Sequence, residues 1–150
     1  MVDPITKSII VKGNIVDIFR VWADFENFPR FMAHIKSVEK VDDRLSRWVM
    51  QGPVGTSIEW EAETTMFEPN RRIGWNSRDR SPIKTSGQVL FTDLRDDETE
   101  VTVTLKYEPP VDLVANTKEA LFANVDRRLE EDLRSFKRYV EAAWREAHAR

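Results

Sequence analysis

Two histidines are the whole supply of imidazole in this chain and cysteine is absent, so any acid–base or nucleophilic chemistry must come from few residues. His34 follows the stretch FPRFMA, whereas His148 lies in the terminal EAHAR, where fraying removes it from consideration. Ser77, Gln88 and Tyr107 supply the hydroxyl, amide and phenol groups that could polarise a carbonyl or move a proton, and each could equally serve as a hydrogen-bonding partner in a core. No second histidine or carboxylate stands at ligand spacing from His34, so no metal centre is expected. A GxSxG motif is missing and the five glycines are too scattered to cradle a phosphate, which sets aside hydrolase and kinase readings. The lack of cysteine closes thiolate and disulfide chemistry and suits a reducing cytoplasm, and no cofactor is implied.

One acidic row remains to be explained. Glu59, Glu61 and Glu63 alternate with Ile58, Trp60, Ala62, Thr64 and Met66 in TSIEWEAETTMF. In a strand these two sets point to opposite faces. Burying three adjacent carboxylates without cations costs several kcal/mol each, so the glutamates mark the wet face and the residues between them the dry one.

The elements that would hold these residues follow from periodicity. TKSIIVKG (6–13) reads as a strand ended by Gly13; Asn14 and Asp17 then cap a short helix with Ile15, Ile18, Phe19 and Trp22 on one face. DFENFPRFM (24–32) reads as a second short helical segment. Alternating runs near 35–41, 44–51, 57–67, 72–77, 84–94 and 99–107 are antiparallel strands separated by turn residues. After YEPPVD, Phe122, Val125, Leu129, Leu133, Phe136, Val140 and Ala143 recur at steps of three or four, giving one long amphipathic helix over 117–147. Its other face, with Arg127, Arg128, Glu131, Arg134 and Arg138, is expected to be solvated. The 150 residues fit one α+β domain spanning 1–150, and 23 basic against 26 acidic residues, mixed along the chain, leave no footprint for nucleic acid. No apolar run is long enough for a membrane span, so a cytoplasmic protein is expected.

The dry face is rich in wide side chains: Trp48, Met50, Trp60, Met66, Trp75, Phe91 and Tyr107 from strands, then Phe122, Val125 and Leu129 from the long helix. Such a set either fills a core or lines an adaptable apolar cleft.

The order of elements resembles the helix-grip fold of the START-related (SRPBCC) superfamily. DIFRVWADFENFPRFMAHIKSVEKVDD (17–43), WVMQGPVGTSIEWEAETT (48–65), RIGWNS (72–77) and GQVLFTDL with TEVTVTLKYEPP (87–110) are similar to its bacterial polyketide cyclase/dehydrase and coenzyme Q-binding-like branch. The resemblance implies a curved seven-stranded antiparallel sheet gripping the C-terminal helix, two short helices after the first strand, and an apolar cavity between sheet and helix. It implies a ligand such as a lipid, quinone or polyketide, and no particular reaction.

Three functions are therefore open. In the first, the protein binds or transports a small hydrophobic molecule, lined by Trp48, Met50, Trp60, Met66, Trp75, Phe91, Phe122 and Val125, with Phe28, Phe31 and Met32 as a lid and Tyr107 or His34 orienting a polar head. In the second it is an aromatase/cyclase using His34, Tyr107, Ser77 or Gln88 in the same cavity. In the third it is an interaction domain without a ligand. Monomer and homodimer are both open, and contact with a membrane through NFPRFM would be transient at most.

Overall fold

Alternation builds the first strand, β1 (Ile5–Lys12), with Ile5, Ile9 and Val11 turned inward and Ile10 left outside. The computed structural model describes residues 4–51, 55–78, 84–108 and 125–147, with the side chains of Tyr107, Glu108 and Val125 excepted. Gly13 closes β1 at φ +143°, a conformation open to glycine, and a Cβ there would stand 2.8 Å from Ile18 Cδ1. Asn14 then caps helix α1 (Ile15–Ala23): its Oδ1 accepts from the Asp17 amide at 3.0 Å, and Ile18, Phe19 and Trp22 are buried. The second helical segment, Phe25–Arg30, is a 3-10 helix, and it contains Pro29, which has no amide proton to continue a ladder.

Six further strands follow: β2 (Ile35–Lys40), β3 (Leu45–Gln51), β4 (Ser57–Glu68), β5 (Arg72–Ser77), β6 (Lys84–Asp93) and β7 (Glu98–Glu108). All neighbours are antiparallel, in the order β1-β7-β6-β5-β4-β3-β2. The chain ends in helix α2 (Val125–Ala147), about 34 Å long at 1.5 Å per residue. The expected helix start near 117 and Phe122 lie outside the described residues, as does His148.

The acidic row is wet, as its pattern requires. Arg47, directly opposite Glu61, lies among its carboxylates, 3.4 Å from Glu59 and 3.8 Å from Glu61. One alternation fails further along β4. The pairing passes from Thr64↔Trp75 to Met66↔Gly74, so Thr65 is an extra residue in a β-bulge. Beyond it the faces exchange: Phe67 pairs with buried Ile73 and meets the Phe19 ring edge-on at 5.4 Å, while Thr65 and Met66 lie beside Gly74 on the outer face. Met66 is therefore not part of the inner lining.

α2 lies against β1, and Leu129, Leu133, Phe136 and Val140 bury one stripe against Val11, Val101 and Val103. The same helix screens the β1 edge. Lys137 Nζ donates to the Ile10 carbonyl at 2.7 Å, and Glu141 accepts from the Lys12 amide at 2.8 Å, removing two groups on which a foreign strand could pair. On the far edge, Glu26 accepts from the Lys40 amide at 3.2 Å.

Gly87 sets the position of one inward ring. It pairs with Trp75, and a Cβ there would stand 2.8 Å from the indole and run into the Thr104 carbonyl oxygen. Gly87→Ala is expected to cost about 1–3 kcal/mol in urea unfolding, the range for overpacking. An unchanged midpoint would show that both Trp75 and the β7 backbone at Thr104 shift aside at little cost.

Candidate functional site

The inner faces of β3 to β7, the 3-10 helix and the first turns of α2 surround a cavity of about 240 Å³, a little below the usual range for small-molecule sites. Its far wall is built from cross-strand pairs. Trp48 and Trp60 face each other across β3 and β4 with their rings stacked at 6.1 Å and 18°. Trp48 also meets Phe28 edge-on at 5.2 Å, which ties this wall to the 3-10 helix. The polar atoms of the wall are consumed locally: Trp48 Nε1 donates to Ser46 Oγ at 2.9 Å, and Ser46 Oγ donates to the Ala62 carbonyl at 3.4 Å.

Of the residues expected to line a cavity, Phe28, Met32, Trp48, Met50, Trp60 and Trp75 do so, together with His34. Phe31 and Phe91 do not. Phe31 packs against Phe136 and Tyr139 at 5.2 and 5.5 Å, and Phe91 against Phe19 at 5.1 Å, so both are core. Phe28 and Phe31 are each 5% exposed and held by several rings, so they are fixed packing rather than a lid. Ser77 Oγ accepts from the Thr85 amide at 3.0 Å and is absent from the lining, while Gln88 is exposed on the outer face. Phe122 and the side chains of Tyr107 and Val125 lie outside what is described.

The polar groups that face the cavity are in part ones the sequence reasoning passed over. Arg128 and Asp132, one turn apart on α2, line it beside His34, Thr64 and Thr85. Arg128 thus does not belong to a wholly solvated face. A signal was present: Asp132 falls three residues after Leu129 and four before Phe136, inside the apolar stripe, where a carboxylate needs a reason.

Burial pushes the Asp132 carboxyl up to about 7, helped by the negative charge of Glu131 and opposed by Arg128. His34 is lowered, first by burial and then by Arg128, against the pull of Glu131, and is therefore mostly neutral at pH 7. Among the described residues neither the Asp132 carboxyl nor the His34 imidazole has a side-chain hydrogen-bond partner, so both remain available to a ligand. No group of three or more possible metal-ligating side chains occurs among the described residues. None of their helices is long and apolar enough to cross a membrane.

A family model described as polyketide cyclase/dehydrase and lipid transport matches residues 15–134. The chain belongs to this family. Among solved structures, a protein of Deinococcus radiodurans is 32% identical, with a TM-score of 0.75 over 95% of this chain and 99% of that one. The Zhui aromatase/cyclase of Streptomyces sp. R1128 superposes with a TM-score of 0.79 at 18% identity, covering 96% of each chain. A START superfamily protein of Mycobacterium smegmatis does so with 0.67 at 18%, covering 93% of this chain and 95% of that one. The latter two likenesses establish the helix-grip fold of the START superfamily for this family member.

Asp132 links the site to stability. Its proton is held more tightly in the folded chain than in the unfolded one, so stability falls as pH rises from about 4 to about 7 and is level above that. Asp132→Asn should remove this slope, raising stability on the order of a few kcal/mol at pH 8 and little at pH 4. Urea unfolding at the two pH values reads the difference, and equal gains at both would mean that Asp132 titrates normally.

Proposed function

We propose that this protein binds one small, mostly apolar molecule in the cavity between sheet and helix and orients it by a polar group set against His34 and Asp132. The observation that carries the reading is the division of the lining. Rings and methyl groups from β3, β4, β5 and the 3-10 helix form an apolar wall, and the titratable groups come from α2 and from His34. A cavity needed only for packing would gain from filling it; this one keeps a carboxyl and an imidazole turned toward it. Lipids, quinones and polyketide-like molecules all have the required form, an extended apolar body with a carbonyl or hydroxyl.

A second reading, acid–base catalysis of the aromatase/cyclase type, is favoured by one specific feature. Asp132 is poised near neutrality, where a carboxyl can both take and give a proton, and His34 shares the influence of Arg128 and Glu131 with it. An Asp132 carboxylate could remove a proton from a carbon beside a carbonyl, and its acid form could protonate the oxygen that leaves as water. That an aromatase/cyclase has this fold makes the chemistry worth testing.

Native mass spectrometry of the gently purified protein, followed by solvent extraction, should reveal a stoichiometric apolar ligand. Trp60→Ala should leave the protein folded and weaken that ligand about tenfold or more, because the indole surface that would cover the ligand is gone. Asp132→Asn and His34→Ala separate the readings: a binding protein keeps its ligand with altered affinity, whereas an enzyme loses turnover of a bound polyketide-like chain while retaining it. An empty protein indifferent to quinones, fatty acids and polyketide-like probes overturns both.

A further inference from the structure

A second hollow lies on the other side of the cavity wall. It is an open groove of about 660 Å³ where the end of α1 and the start of the 3-10 helix face the β2–β3 turn and the β4 bulge. Phe25 and Thr64 line both the groove and the cavity, so only these two side chains are common to the partition. Phe25 is half-buried, with its ring 5.8 Å from that of Phe28 and 6.1 Å from that of Trp48, and among the described residues Thr64 is held by a backbone bond, its amide donating to the Arg44 carbonyl at 2.7 Å.

The two hollows differ in charge. The α2 end of the cavity presents the largely buried carboxyl of Asp132 with Glu131 nearby, offset by Arg128, so an anion placed there would lose its water and compete with Asp132 for Arg128. The groove is wet and carries three cations, Arg20, Lys40 and Arg44, against Asp24 and Asp43. Arg20 is paired with Asp17 at 3.5 Å, and Asp24 accepts from Asn27 at 3.0 Å. Among the described residues the side chains of Lys40 and Arg44 have no acidic partner, and Arg44 is tied through its backbone to Thr64 at the partition.

We propose that the site is bipartite: the apolar body of the ligand occupies the cavity, and an anionic end passes between Phe25 and Thr64 to rest against Lys40 and Arg44 in the groove. The inference rests on the cavity reading above and narrows its ligand class to amphipathic anions, such as a carboxylate on an apolar chain. Phe25 is placed to yield because it is half-buried and borders the open groove, whereas its neighbour Phe28 is buried in the core.

Decanoate and decanol, which share a chain and differ in charge, test this through the intrinsic tryptophan fluorescence, to which Trp22, Trp48, Trp60 and Trp75 contribute from the cavity lining. Wild-type protein is expected to bind decanoate about five- to tenfold more tightly than decanol at low salt, with the preference fading as ionic strength rises. The double variant Lys40→Gln/Arg44→Gln should lose that preference and keep its affinity for decanol, and Phe25→Ala should speed the binding of both. A wild-type protein that binds decanol at least as well as decanoate overturns the groove while leaving the cavity standing. So does a preference that survives the double variant and disappears in Arg128→Gln, which would place the anion inside. If neither probe binds, the cavity reading fails and this inference falls with it.

Discussion

Seven strands at about 4.8 Å spacing span roughly 30 Å, whereas one helix with its side chains is about 10–12 Å across. The inner face of this sheet is apolar from β1 to β3, and among the described helices α2 alone is long enough to answer it. The mismatch between sheet width and helix width is the constraint on which the rest depends. Where α2 lies close, against β1, aliphatic side chains such as Val11, Val101 and Val103 suffice. Farther along the sheet the remaining space is spanned by rings, with Trp22 and Phe31 edge-on to Phe136 at 4.9 and 5.2 Å, and by α1 and the 3-10 helix. The aromatic excess of the composition is therefore largely a consequence of geometry. The cavity remains where rings from β3 and β4 meet neither α1 nor α2 closely enough to close the gap.

Most of the fold is legible in the sequence, whereas the site is legible only in part. Strand alternation identified the dry face because the penalty for burying Glu59, Glu61 and Glu63 leaves one choice of orientation. It did not reveal the bulge at Thr65, because a single extra residue leaves local composition unchanged while exchanging every later side chain; Met66 was misplaced for that reason. Alternation also cannot separate a ring that lines a hollow from one that fills it. Phe91 and Trp75 both face inward, yet Phe91 meets α1 and is sealed, while Trp75 looks into the cavity. That difference is set by what lies opposite, which depends on the long-range docking of helices onto the sheet.

The polar groups of the site show a different limit. Ser77 and Gln88 carry suitable chemistry, but one is engaged by the Thr85 amide and the other belongs to the outer face. Arg128 and Asp132 were obscured by a helix face crowded with charge, since a helical projection separates inner from outer positions only to within about one residue. His34 was found because histidines are few. Counting a scarce residue type is a stronger guide than pattern when the pattern is shared with solvent-exposed surface.

Asp132 is the place where stability and function pull apart. A leucine or methionine at that position would continue the stripe of Leu129, Leu133 and Phe136 and remove the cost of holding a carboxyl in an apolar cavity. If the role were structural, a closely hydrogen-bonded partner would be the economical arrangement, as Lys137 and Glu141 display farther along the same helix at 2.7 Å. Asp132 instead faces a space that the described residues leave open, with its charge only offset by Arg128 one turn away. A titratable group kept unpaired, largely buried and near neutrality in a cleft is the pattern of a group that waits for a partner from outside the chain. The same cost that makes Asp132 a poor stabiliser makes it sensitive to what enters the cavity, because a ligand that donates a hydrogen bond to the carboxylate, or accepts one from the acid, shifts its proton affinity and the stability of the fold together.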